Sequence, residues 1–116
     1  MLKNYANVAW SVYNSGFTVG IKNITTSIPT EFSLSQNYPN PFNPTTTIKF
    51  AVPRSSSVKI SVFDVSGREV ETLVNERLQA GTYETTFDGS RYSSGVYFYK
   101  LQADGYSETK KMLLIK

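Results

Sequence analysis

Residues 37–50 read NYPNPFNPTTTIKF, three prolines and three asparagines running straight into an alternating stretch. Proline holds φ at about −65° and has no N–H to donate, so Pro39, Pro41 and Pro44 exclude both a helix and a central strand here. The residues ahead of them, Tyr38, Asn40 and Asn43, are pushed toward extended backbone. Asparagine side chains also close turns by bonding nearby main chain. The segment therefore reads as a stiff, ordered entry to a folded module, with Phe42 as its apolar anchor. The run that follows decides the fold. In TTIKFAV, Ile48, Phe50 and Val52 fall on one face, and Lys49 and Ala51 on the other, which is the period of a β-strand.

The same period recurs to the end of the chain. SVKISVFDV sets Val58, Ile60 and Val62 against Lys59 and Ser61, and GTYETTFDG sets Tyr83, Thr85 and Phe87 against Glu84, Thr86 and Asp88. GVYFYKL and KKMLLIK are apolar on both sides for part of their length, as strands within a sandwich can be. Turn signals separate the runs: Pro53–Ser57, Asp64–Gly67, Gly81, Asp88–Gly89, Ser93–Gly95 and Asp104–Gly105. The one helical candidate, REVETLVNERLQ, sits after a compact Asp64–Gly67 turn, and a hairpin strand over Arg68–Val74 suits it better. Short strands at about ten-residue spacing predict an all-β protein, an immunoglobulin-like antiparallel β-sandwich of about seven strands. Ile48, Phe50, Ile60, Val62, Phe87 and Leu114 are its expected core.

Residues 1–24 differ in character. They hold one hairpin pattern around Asn14–Gly16 and read as the remnant of an upstream domain, because a lone hairpin is marginal in water. The alternative is that they add strands to the sandwich. Thr25, Thr26, Ser27, Ile28, Pro29, Thr30 and Glu31 are small, polar and proline-bearing, as a linker is. The folded module spans residues 32–116.

Composition narrows the chemistry. The chain of 116 residues has no cysteine and no histidine, which removes disulfides, thiol chemistry, the commonest general base and the usual zinc ligand. A net charge of +3, spread along the chain, gives no basic patch for nucleic acid. No stretch is long and apolar enough for a membrane-spanning helix. Asp64, Asp88 and Asp104 each precede a glycine within a turn, and no calcium-loop spacing exists, so no metal is expected. Glu69, Glu71 and Glu84 fall on solvated strand faces rather than in a cleft. Tyr92, Tyr97, Phe98 and Tyr99 suggest a sugar platform, but neighbours on a strand face opposite ways. These readings favour a non-catalytic protein with no cofactor and no small-molecule substrate.

FSLSQNYPNPFNPTTTIKF, VKISVFDVSGREV, LQAGTYETTFDG, SSGVYFYKLQADG and KKMLLIK, in this order and spacing, resemble the type A C-terminal sorting domain of the type IX secretion system. They are also similar to the immunoglobulin-like domain of flagellar hook-capping proteins, although the closing KKMLLIK favours the sorting domain. The resemblance implies a non-catalytic export signal at the C-terminus of a protein from Bacteroidetes or relatives. Its partners would be an outer-membrane translocon, a sortase-like protease and a covalently fused cargo. Cargo would pass through the periplasm to the outer-membrane surface or the medium, and the signal would then be removed. No signal peptide begins this chain, so a longer parent is expected. Gly81, Tyr83, Gly95 and Tyr97 align with the family's glycine–tyrosine positions and are candidates for recognition, although a structural role in the sandwich is favoured for them. The resemblance places the export determinant in the terminal Lys110, Lys111, Met112, Leu113, Leu114, Ile115 and Lys116, which also read as a last core strand with solubilising lysines. Each glycine is expected at positive φ and each tyrosine at a sheet edge. Cleavage would fall within Thr25–Glu31. A structural assembly module of the hook-cap type and a carbohydrate-binding accessory module are the alternatives.

Overall fold

The structure, a computed structural model, describes residues 22–25 and 28–116. The Asn14–Gly16 hairpin lies outside them. Eight strands follow in order: β1 (Lys22–Thr25), β2 (Ser33–Leu34), β3 (Thr45–Val52), β4 (Ser56–Phe63), β5 (Glu69–Leu78), β6 (Gly81–Asp88), β7 (Gly95–Ala103) and β8 (Tyr106–Leu114). They form two four-stranded antiparallel sheets, ordered β1-β6-β3-β2 and β5-β4-β7-β8. The expected sandwich is present, with seven strands from Ser33 onward and an eighth ahead of them. The helical candidate is strand, and it runs to Leu78 rather than stopping at Val74.

Alternation explains the core. Each sheet turns one apolar face inward, and Ile48, Phe50, Ile60, Val62, Phe87 and Leu114 are all at most 1% exposed. The lesson of TTIKFAV needs one amendment, because Ala51, placed on the polar face with Lys49, is buried as well. Aromatic pairs fill the core: Phe42 meets Phe87 edge-on at 5.9 Å, and Phe50 of β3 stacks at 5.6 Å on Tyr83, its partner across the ladder in β6. Such pairs add roughly 0.5–1.5 kcal/mol beyond area burial.

The turns follow their residues. Asp64 Oδ1 accepts the Ser66 and Arg68 N–H groups, closing β4 onto β5 through Gly67 at φ 89°. These bonds, with that from the Ser66 hydroxyl first, hold the Asp64 carboxyl below its usual range. Asp104–Gly105 connects β7 to β8 with both residues at positive φ, 45° and 86°, the backbone of a two-residue hairpin loop. Gly89 serves packing instead. A Cβ there would stand 3.0 Å from Leu114 Cδ2 and 3.3 Å from Phe42 Cε2.

Residues 22–25 straddle the expected boundary between hairpin and linker. Their backbone pairs with β6, Lys22 opposite Glu84 and Thr25 opposite Thr82.

Candidate functional site

The two glycine–tyrosine motifs come out as one device used twice. The Tyr83 hydroxyl donates to the Gln79 carbonyl at 2.8 Å, and the Tyr97 hydroxyl to the Ser93 carbonyl at 2.7 Å, four residues back in each case. This is the tyrosine-corner arrangement that pins a sandwich strand to the loop before it. Two expectations are corrected. Neither tyrosine is at a sheet edge, since β6 lies between β1 and β3, and β7 between β4 and β8. Gly95 has the expected positive φ of 153°, but Gly81 does not, because it already lies within the β6 ladder opposite Val52.

The terminal strand divides by face. In β8, Met112 and Leu114 are fully buried. Lys110 is half-buried on that inward side, with Nζ 3.3 Å from Glu108. Lys111 and Leu113 point outward, and Ile115 and Lys116 are exposed beyond the strand. Lys116 is nonetheless tied down, its N–H donating to Ser94 Oγ and its Nζ to the Ser90 carbonyl. A single stretch of sequence thus supplies core side chains and surface side chains alternately.

The edge of β8 is where the proline segment goes. Residues 32–42 run parallel to the strand and close it. Phe32 stacks on Tyr106 at 5.2 Å, and Gln36 Nε2 donates to the Lys111 carbonyl at 2.8 Å. Asn40 Oδ1 accepts the Leu113 N–H at 3.0 Å. The Phe42 N–H donates to the Leu113 carbonyl and the Phe42 carbonyl accepts from Ile115, both at 2.9 Å. An exposed strand edge invites pairing with other chains, and covering it removes that hazard.

Beneath this strap lies a polar knot. Asn37 is buried, donates its N–H to the Tyr99 hydroxyl oxygen at 2.8 Å, and donates through Nδ2 to Thr46 Oγ1 and the Pro39 carbonyl. Tyr99 in turn donates to the Ser35 carbonyl at 2.7 Å. Burial pushes the Tyr99 phenol up to about 12. On the other side, Tyr38 exchanges two 3.0 Å backbone bonds with Thr47 in β3. The strap therefore fastens both sheets together, an anchoring role carried by Phe42 as the residue types suggested, and by Asn37 and Asn40, which they did not single out.

At the start of the module Arg54 binds Asp104 through Nε at 2.9 Å and Nη2 at 2.7 Å, and lies 5.3 Å from the Phe32 ring. Of the linker, Ile28 is 68% exposed and Thr30 and Glu31 are exposed, whereas Thr25 belongs to β1; Thr26 and Ser27 lie outside the described residues. Among the described residues no group of three or more carboxylates is placed to hold a metal ion. Of the sugar-platform candidates, Tyr97 and Tyr99 are buried and Phe98 faces the opposite way.

A family model, described as the secretion system C-terminal sorting domain, matches residues 36–116, from within the strap to Lys116, two residues past the terminal strand. The chain belongs to this family. It is a C-terminal sorting signal of type IX secretion, a β-sandwich that marks the protein carrying it as secreted and that interacts with the secretion machinery. A search of the curated proteins found no match.

Proposed function

We propose that this sorting domain acts as a non-catalytic module, read by an outer-membrane translocon through the exposed residues of its C-terminal strand and removed by a sortase-like protease after passage. Residues 1–24 are then the end of a cargo, Thr25–Glu31 the cleaved span, and residues 32–116 the signal, with the cargo finishing on the outer membrane or in the medium. The observation that carries this reading is the family match, which takes in residues 36–42 of the strap and the whole of the terminal strand. The division of β8 refines it: Lys111, Leu113, Ile115 and Lys116 are accessible to a partner, whereas Met112 and Leu114 support recognition only by holding the fold. Gly81, Tyr83, Gly95 and Tyr97 act in the same indirect way.

The test uses a signal-peptide reporter fused to this chain in a type IX host. Ile115→Ala with Lys116→Ala removes only exposed side chains, so stability should change by roughly 0.5 kcal/mol or less, and export should fall. Deleting residues 114–116 should abolish export but also removes the buried Leu114. If the double variant is exported normally while the deletion is unfolded and retained, the terminus serves folding alone and this assignment of recognition fails.

A further inference from the structure

The outer face of the β5-β4-β7-β8 sheet bears an apolar patch for which the fold has no use. Antiparallel register sets Phe63 beside Phe98, Phe98 beside Lys111, and Val96 beside Leu113. Residues paired across a ladder share a face. The alternate positions Val62, Tyr97, Tyr99 and Met112 are buried between the sheets, so these five point away from the core. Val65, in the adjoining β4–β5 turn, is 72% exposed, and Leu113 is 37% exposed. Phe63, Asp64, Val65, Phe98, Lys100 and Thr109 are among the residues that line a shallow open depression. Scattered apolar residues on a surface need no explanation, but a contiguous, polar-rimmed cluster marks an interaction site.

Charge tells what would cover it. Lys100 and Lys111 flank the phenylalanines and make no ion pair among the described residues. Asp64, the nearest carboxylate of the turn, is held by Arg68 at 3.3 Å, and Glu69 faces Lys59 at 3.8 Å. The charges that this rim leaves unpaired are therefore positive.

We propose that this face docks a protein surface presenting apolar side chains flanked by carboxylates. The inference rests on the reading of the domain as a sorting signal, and places the contact on a sheet face because the strap already closes the β8 edge. Unpaired positive rim charges and an apolar centre together fit a partner in which charge steers the encounter and buried apolar contact holds it.

The experiment reads export of a reporter fused to the whole chain in a type IX host. Lys100→Glu with Lys111→Glu, and separately Val65→Asp, should each lower export by roughly tenfold or more. Their melting temperatures should stay within about 4 °C of the parent, as exposed substitutions do. Lys49→Glu, on the outer face of the other sheet, should export normally. Normal export of the charge reversal or of Val65→Asp would overturn the proposal, as would an equal loss from Lys49→Glu, which would make net charge the cause. Co-sedimentation with phosphatidylglycerol vesicles should show no binding, and binding lost on reversal of the two lysines would assign the face to anionic lipid instead. Removing residues 32–116 must stop export; if it does not, the sorting reading itself fails, which is a separate result.

Discussion

Tyr99 shows how one side chain ties distant parts of the sequence together. Its hydroxyl donates to the Ser35 carbonyl and accepts the Asn37 N–H, so Tyr99→Phe would leave a buried main-chain donor without a partner. That change should cost about 1–3 kcal/mol. Tyr97→Phe removes one bond to a carbonyl near solvent and should cost about 0.5–1.5 kcal/mol; urea denaturation of both variants checks the order. Alkali offers a second test. Burial pushes Tyr83, Tyr99 and Tyr106 each up to about 12 from an ordinary value near 10. A phenol whose folded value is raised favours the folded state fully below the unfolded value and loses that advantage as pH climbs through the folded one. Stability should therefore hold at pH 9 and fall progressively from about pH 10 to 12. Denaturation midpoints measured across that range would contradict the account if they stayed flat.

At the scale of elements, the proline strap and β8 define each other. Residue types announced a rigid segment and an apolar Phe42, but not its destination, because pairing between positions seventy residues apart leaves no mark in local periodicity. The same blindness put Tyr83 and Tyr97 at sheet edges: spacing tells which face a residue takes, not which strands lie on either side. Gly81 departs from the expected positive φ for a related reason, since a glycine after a turn and one opening a strand look alike in sequence. The strap makes a local prediction. Asn40→Ala frees the Leu113 N–H that Asn40 accepts, so exchange of that amide should quicken by roughly tenfold while the ladder amide of Met112 stays protected. Equal rates in both proteins would show that the strap does not close the edge. The opposite end of the segment has its own test. Phe32 is held by Tyr106 and Arg54, so a broad-specificity protease should cut first ahead of Phe32, among the exposed linker residues, and spare residues 33–116. First cuts inside the strands, found by mass spectrometry, would refute the boundary.

For the whole molecule, alternation sufficed to give the sandwich, its core and its hairpin turns, because each strand buries one face and each turn carries residues suited to it. Which surface faces a partner was less legible. KKMLLIK reads as a single signal in sequence, yet folding separates it into inward Met112 and Leu114 and outward Lys111 and Leu113. The residues that extend that outer face, Phe63, Val65 and Phe98, come from two other strands and a turn, and only the ladder brings them beside it. What remains is whether the folded module is sufficient for its role. Residues 32–116, joined through the linker to an unrelated periplasmic reporter, should carry that reporter to the cell surface or medium of a type IX host. A reporter that stays in the periplasm, although the attached module is folded and intact, would contradict the account.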